Sequence, residues 1–367
     1  MHHLPPLTIG KHTARIPIVQ GGMSVGISLS GLAAAVAREG GIGVIGCAGI
    51  GSTEPDVHTD YNTANKRALV KQIKTARENA GGGVLGVNIM MALSDYDLLI
   101  QTAMEEGIDI IFLGTGLLLR MPPSIDLDLI KSGKTSIVPI ISSGAGVKIL
   151  FTYWSRFYQM VPDAVVIEGP LAGGHLGFTL DQLGDPHYRL ENILPEVLKE
   201  VAPFEEQYHK KIPVIVGGGI FTGGDIYRFL KRGASGVQMA TRFVATVECD
   251  ASPAFKQSYV DCGYNDVVII DSPVGMPGRA INNKFLQDVK AGGKKPFKCG
   301  WKCLRTCEFE TSPYCIALAL VNARDGKLDN GFAFCGANAY RINEIVSVHD
   351  LVEILISEYE EVYHEIN

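Results

Sequence analysis

The 367-residue sequence lacks any uninterrupted apolar stretch of about 18 residues, the minimum length of a membrane-spanning helix. Its beginning, MHHLPPLTIGKHTARIPIVQ, also lacks the basic segment and the apolar segment of a secretory signal. We therefore expect a protein that neither spans a membrane nor enters the secretory route, and that works in the cytoplasm.

Long basic runs are absent as well, and the net charge is −6 with an isoelectric point near 5.9. This balance argues against nucleic acid or an anionic membrane surface as the main partner, because both attract clustered positive charge. A small-molecule substrate fits better. The composition, 46% hydrophobic, is sufficient for a large core. Nothing in it indicates an oligomeric state, so an oligomer stays open.

Eight cysteines in a chain of this length do not indicate a secreted disulfide framework. Five of the eight fall within residues 299–335. In a reducing compartment, clustered thiols are more often metal ligands or redox groups, so this region is a candidate functional segment.

Short apolar, β-branched runs recur along the chain with helical stretches between them. Their continuous hydrophobicity is typical of parallel strands that are covered on both faces. The predicted strands are RIPIVQGG (15–22), IGVIGC (42–47), VLGVNIM (84–90), IDIIFLG (108–114), SIVPIIS (136–142), AVVIEG (164–169), IPVIVGGG (212–219) and GVQMA (236–240).

The intervening stretches have the helical spacing of apolar residues, as in 28–40, where Ser28 is the expected N-cap and Gly40 the stop. Eight strand-helix units predict an α/β fold, a (β/α)₈ TIM barrel, over residues 1 to about 250. The alternative, a doubly wound open sheet, lacks its Gly-x-Gly-x-x-Gly signature after the first strand. We expect a barrel domain at 1–285 and a cysteine-rich, mainly helical subdomain at 286–367.

Glycines are concentrated where strand seven ends, at Gly217–Gly219, and ATRF follows strand eight. TIM barrels commonly bind phosphate between these two loops, beside the N-terminus of a short helix. Positions without side chains let backbone N–H groups face a phosphate. The alternative is that these glycines only turn the chain.

Five motifs occur in a characteristic order: PIVQGGM, GVN, EGPLAGGHLGF, GGGI and GVQMATRF. Over about residues 5–285 the chain thereby resembles the FMN-dependent nitronate monooxygenase family. It is also similar to the related flavin-dependent type II enoyl-acyl carrier protein reductases and NADH:quinone reductases. The resemblance implies FMN in the barrel mouth.

Position by position, the resemblance implies roles for twelve cofactor residues. Gln20, Gly21, Gly22 and Met23 would lie along the flavin ring, Asn88 would bond its polar edge, Glu168, Gly173 and Gly174 would border the ribityl chain and phosphate, and Gly218, Gly219, Ala240 and Thr241 would hold the phosphate. The asparagine amide offers both a donor and an acceptor for the ring edge. The alternative for Asn88 is that it lies at the end of a strand and caps a loop.

His175, in AGGHLG, is the catalytic candidate. Imidazole titrates near neutral pH, so it can take a proton from a nitroalkane, orient a nitronate or protonate an enoyl substrate. A lone histidine is more often structural, but this one follows two glycines at a barrel strand end, where active sites lie.

The chain departs from the nitronate monooxygenase pattern at two places. QGGM stands where Gln-Ala-Pro-Met is usual, and the glycine form resembles the enoyl reductases. Pro170 and Leu171 stand where an acidic residue is common. Arg279, in GMPGRAINNKF, could meet an anionic group or be an exposed structural arginine.

Cys299, Cys303, Cys307 and Cys315 have the spacing C-x₃-C-x₃-C-x₇-C, which ordinary family members lack. A helix over 299–307 would place the first three sulfurs in one slanting stripe. The spacing matches neither the usual zinc pair nor the ferredoxin run, so a 4Fe–4S cluster, zinc, and metal-free cysteines all stay open.

Three functions follow, in two classes. The leading one is an FMN-dependent oxidoreductase of the nitronate monooxygenase type. The enzymatic alternative is an enoyl-acyl carrier protein or quinone reductase, which would add NAD(P)H as a partner. The third is a flavin and metal redox sensor or electron-transfer module.

Overall fold

The computed structural model describes residues 2–293, 295 and 297–366. The strands are β1 (Leu7–Ile9), β2 (His12–Ala14), β3 (Ile18–Gln20), β4 (Ile42–Gly46), β5 (Val84–Met90), β6 (Ile110–Gly114), β7 (Ser136–Ile141), β8 (Val165–Glu168), β9 (Gly174–His175), β10 (Val214–Gly217), β11 (Gly236–Met239), β12 (Val267–Asp271) and β13 (Pro277–Ile281).

The helices are α1 (Ser30–Arg38), α2 (Tyr61–Asn79), α3 (Tyr96–Glu105), α4 (Leu127–Lys131), α5 (Gly144–Tyr158), α6 (Leu180–Gly184), α7 (Leu190–Tyr208), α8 (Gly223–Lys231), α9 (Thr241–Val244), α10 (Pro253–Val260), α11 (Lys284–Lys290), α12 (Ile316–Arg324) and α13 (Val348–Ile366). Among these described helices, none has the length and apolar character needed to cross a bilayer.

Eight parallel strands close into a barrel in the order β10-β11-β3-β4-β5-β6-β7-β8. Each lies within one of the eight predicted runs, so the TIM-barrel prediction is confirmed. The ring closes where β11 pairs with β3, with Met239 opposite Gln20. Closure aligns the carboxyl ends of all eight strands at one mouth.

The opposite end of the barrel is filled by the hairpin β1–β2. Leu7, Ile9 and Ala14 of this hairpin are at most 3% exposed and pack with inward-facing strand residues such as Val44 and Phe112. The barrel interior is therefore a packed core at this end, which leaves the mouth as the place to look for a ligand.

Helix α1 begins two residues later than predicted, and Ser28 does not cap it. The Ser28 hydroxyl bonds the Met23 backbone instead, accepting from its N–H at 2.7 Å. The exposed N–H groups of the first turn are satisfied by Asp250, whose carboxylate accepts from Leu29 at 2.7 Å and Leu32 at 3.1 Å. A residue 220 positions away thus replaces the local cap.

After the barrel, β12 and β13 form an antiparallel sheet with β9, in the order β12-β13-β9. Residues 299–307 do not form the helix that would align the first three sulfurs: Cys299 and Cys307 lie in irregular chain, and Leu304 makes a single bridge to Leu93. Contacts with the barrel rim replace the helical hydrogen bonds there, because Ser94 N–H donates to Cys303 O at 3.0 Å.

Candidate functional site

A cavity of about 310 Å³ opens at the carboxyl ends of the barrel strands. Its floor comes from residues at or near the carboxyl ends of β3, β5, β8, β10 and β11. Its roof comes from the tail, from Cys303, Leu304, Ile316, Ala317, Leu320 and residues 334–338. The volume falls at the small end of the range for ligand pockets, about 300–1,000 Å³.

Most residues predicted to hold a cofactor line this one cavity. The lining contains Gly21, Gly22, Met23, Asn88, Glu168, Gly173, Gly174, Gly218, Gly219, Ala240 and Thr241, and it also contains His175. They come from five separate strand ends and are brought together by barrel closure.

Gln20 is the predicted cofactor residue that lies outside the cavity lining. Its side chain is fully buried, with the amide donating to Gly21 O at 2.6 Å and accepting from Val44 N–H at 2.9 Å. Because the amide is used in holding β3 to β4, it cannot also contact a ligand. Gln238, two residues before Ala240, lines the cavity instead.

Two side-chain amides face the cavity with unused hydrogen-bonding groups. Asn88 and Gln238 both line it, and neither amide bonds another residue in the described part of the chain. The backbone of Gly21 approaches Gln238 so closely that a Cβ there would lie 3.4 Å from the Gln238 Cγ. A planar ligand in this position could bond both amides.

The loop after β10 carries two consecutive glycines in the left-handed region. Gly218 has φ +99° and Gly219 has φ +85°, which non-glycine residues seldom adopt. Nearby, α9 begins at Thr241, and its N-cap residue, Ala240, makes no side-chain cap hydrogen bond. These two loops therefore present backbone N–H groups without side-chain caps, which suits an anion.

The tail segment 334–338 is bonded across these loops. Gly336 N–H donates to Thr241 Oγ1 at 2.9 Å, and Asn338 Nδ2 donates to Gly219 O at 2.8 Å. At Gly173 a Cβ would lie 2.6 Å from the carbonyl carbon of Cys335, so only glycine allows the two backbones to meet. The tail thus forms part of the wall of the candidate site.

His175 lies in the cavity wall on β9. Its Nε2 is 2.7 Å from Ser272 Oγ, and its ring packs edge-on against Phe334 with centroids 4.9 Å apart. Burial lowers the pKa of His175 to about 4. The imidazole is therefore neutral at pH 7 and free to accept a proton.

Glu168, at the end of β8, is the second titratable group in the cavity wall. Burial raises the pKa of Glu168 to about 7, opposite in direction to the shift at His175. Groups whose environments displace their pKa values in this way are typical of sites that move protons.

Among the described residues, the cavity lining includes no lysine or arginine. Arg279 was expected to meet an anion or to be exposed, but it is 7% exposed and its guanidinium donates to Ala172 O. It holds the loop before His175 and does not face the cavity.

The sequence matches the nitronate monooxygenase family over residues 6–358, which is nearly the whole chain. The chain belongs to the nitronate monooxygenase family. It is therefore an oxidoreductase by family, with the mouth of the barrel as the candidate active site.

Relatives within and around the nitronate monooxygenase family differ in their reactions. FabK of Thermotoga maritima is 27% identical, with a TM-score of 0.72, and the match covers 98% of this chain and 96% of FabK. A (3aS,4S,5R,7aS)-5-hydroxy-7a-methyl-1-oxo-octahydro-1H-indene-4-carboxyl-CoA dehydrogenase of Mycobacterium tuberculosis is 24% identical over 76% of this chain. The chain spans just under two thirds of that relative, 66% of its length.

A probable nitronate monooxygenase of Staphylococcus haemolyticus is 32% identical over 130 residues, 35% of this chain and 34% of its own length. The match with the higher sequence identity thus covers a short stretch, whereas the matches that cover most of this chain have lower sequence identity.

Several site residues had no signal in the family motifs. Ser272 lies 97 positions from His175, and the roof residues around Phe334 belong to no recognised pattern. Gln238 stood inside the motif GVQMATRF, and its position two residues before Ala240 could have indicated an inward-facing side chain.

Of the four spaced cysteines in this nitronate monooxygenase homologue, Cys303 lines the cavity. The charges of Cys315, Cys299 and Cys307 contribute to the pKa of Cys303, which burial and these charges raise to about 12. The four thiols are therefore near one another, although they share no helix.

Proposed function

We propose that this protein is an FMN-dependent oxidoreductase of the nitronate monooxygenase type, which oxidises small alkyl nitronates and uses His175 to handle the proton. The observation that carries the proposal is the convergence of the predicted glycines, a free asparagine amide and a neutral histidine around one cavity.

The residues in the cavity fit FMN. The unbonded amides of Asn88 and Gln238 suit the polar edge of a flavin ring, because together they offer donors and acceptors. Gly218, Gly219 and the uncapped start of α9 suit the phosphate. No dinucleotide signature accompanies this single phosphate site, which favours FMN over FAD.

When bound, FMN would supply a two-electron acceptor for the substrate carbon. The protein's part is to move the proton. If Nε2 of His175 donates to Ser272 Oγ at 2.7 Å, the lone pair on Nδ1 is left to accept a proton. A neutral nitroalkane would thereby lose its α-proton to Nδ1 and become a nitronate.

The absence of lysine and arginine from the described lining gives His175 a second role. A nitronate anion beside the imidazole favours the protonated ring, so binding would raise the pKa of His175 from its low value. The resulting imidazolium would be the countercharge of the nitronate, held by Ser272.

Reduction of an enoyl thioester is the second candidate. Two observations favour it: a relative's name specifies a carboxyl-CoA substrate, and a cavity without lysine or arginine suits an uncharged acyl group. His175 would then donate a proton to the substrate instead of removing one.

Substrate assays with the purified flavoprotein distinguish the candidates. Consumption of oxygen with an alkyl nitronate, and no oxidation of NADH by an enoyl thioester under anaerobic conditions, is the result that we expect. NADH oxidation that depends on the thioester, with no nitronate turnover, would replace the first candidate by the second.

A further inference from the structure

The cysteine segment 299–315 is folded back on itself. Lys295 N–H donates to Pro313 O at 2.8 Å, and the rings of Phe297 and Phe309 lie 6.4 Å apart. These contacts join the chain before Trp301 to the chain after Arg305. They bring Cys299, which lies before the fold, towards Cys307, which lies after it.

The middle of the segment is fixed to the barrel rim. Cys303 O accepts from Ser94 N–H at 3.0 Å, and Arg305 N–H donates to Ala92 O at 3.0 Å. Trp301 stacks on Tyr61 with centroids 5.9 Å apart. Cys303 is therefore held at the edge of the cavity by bonds on both sides.

The fourth cysteine approaches from helix α12. Leu304 packs with Tyr314 and Ile316 in one apolar cluster, which places Cys315 close to Cys303. Cys315 is the N-cap residue of α12, so its side chain lies at the start of this helix, next to Leu304 and Cys303.

Four neighbouring thiols would repel one another if all were ionised, because like charges disfavour each other. A cation between them removes this repulsion. Lys298, Lys302 and Arg305 are exposed on the same segment and would offset the remaining negative charge. Elsewhere, Cys47, Cys249, Cys262 and Cys335 are buried and lie outside this group.

The four sulfurs are not gathered as closely as the ligands of one zinc ion. Tetrahedral zinc with Zn–S bonds of about 2.3 Å needs sulfurs about 3.8 Å apart. Within the described residues, only His3, Glu360 and His364 bring three ligand atoms within 4.8 Å of one another, and no three of the sulfurs do so. In an iron–sulfur cluster each thiolate binds its own iron, so the sulfurs lie further apart.

We propose that Cys299, Cys303, Cys307 and Cys315 bind a 4Fe–4S cluster at the edge of the cavity, with Cys303 as the ligand nearest the active site. The proposal does not depend on which substrate is oxidised or on FMN, since the four ligands are side chains of the tail.

The full-length protein, prepared without oxygen from iron-supplied cells, tests this proposal. We expect roughly four irons and four acid-labile sulfides per chain, as a cubane cluster requires. The visible absorbance of the cluster should bleach with dithionite and persist after bound flavin is removed.

Single variants test the ligand set. Cys303→Ser and Cys315→Ser should each lose most of the iron, because an opened site exposes the remaining ligands. Cys262→Ser is the matched control: it removes a buried thiol outside the group and should keep the iron. Thermal unfolding of each variant separates ligand loss from misfolding.

Zinc at one ion per chain without iron, or no metal in the wild-type protein, would overturn the proposal whatever the variants do. An equal loss of iron from Cys262→Ser and Cys303→Ser, with all variants folded, would also overturn the ligand assignment.

Discussion

The two halves of the cavity wall are built by different means. The floor is made by strand ends, where glycines and short polar side chains recur at positions fixed by the barrel. The roof is made by tail residues between Cys303 and Asn338, which belong partly to irregular chain and partly to the start of α12. Scattered hydrogen bonds hold it, such as that from Gly336 N–H to Thr241 Oγ1. The comparison teaches that closure of the barrel is enough to place the floor residues, whereas the roof depends on individual contacts between the tail and the loops.

The largest effect is expected from a substitution in the floor of the cavity. Gly219→Asp should reduce FMN retention by at least about 100-fold, because a buried like-charge contact with a phosphate costs several kcal/mol. The matched control is Gly275→Asp, which has the same charge and a similar φ of +78° but lies outside the cavity lining. Cofactor content after gel filtration is the measurement. Equal flavin content in both variants would show that the FMN phosphate does not bind at the Gly219 loop.

Substitution of His175, the proposed proton-handling group, should have the next largest effect. His175→Asn should slow turnover of a neutral nitroalkane by about 10²–10⁴-fold, the usual contribution of a positioned acid or base. A preformed nitronate has already lost its proton and should be affected far less. Steady-state rates on both substrates are compared with those of His187→Asn, an exposed histidine. Equal small losses on the two substrates would make His175 structural.

A roof substitution should have a smaller effect. Asn338→Ala removes one neutral hydrogen bond to Gly219 O, worth about 0.5–1.5 kcal/mol, so FMN should bind about two- to tenfold more weakly. Asn192→Ala is the control, since its amide makes the same kind of bond to Pro186 O on a distant surface. Titration of the flavin-free proteins with FMN measures both. An unchanged affinity for FMN in Asn338→Ala would mean that this hydrogen bond from the roof does not contribute to FMN binding.

The smallest effect concerns pH. The pKa of Glu168 is raised from 4.5 to about 7 in the folded protein, so its proton stabilises the fold at low pH. This stabilisation is complete below about pH 4.5 and is lost as the pH rises towards 7. Glu168→Gln cannot lose that proton and should gain stability relative to wild type across this window. Urea unfolding at several pH values tests it, and a constant difference would contradict the raised pKa.

The fold was predictable because each barrel strand is a continuous apolar run, and such runs are typical of buried parallel strands. The position of the glycine-rich loop after β10 and of the loop after β11 was predictable as well, because the order of the strands fixes which loops lie where TIM barrels commonly bind phosphate.

The rest depends on contacts between distant parts of the chain. Sequence alone could not show that the Gln20 amide bonds the neighbouring strand at Val44, or that Ser272 reaches His175. Nor could the cysteine spacing show whether residues 299–307 form a helix; the structure holds this segment to the barrel rim instead, with a bridge from Leu304 to Leu93.

The central claim is that the glycine-rich floor holds FMN, and the mass of the cofactor released from the purified protein tests it most directly. The account predicts FMN at one molecule per chain. Release of FAD or of a nicotinamide dinucleotide, or of no flavin from protein prepared in flavin-rich medium, would contradict it.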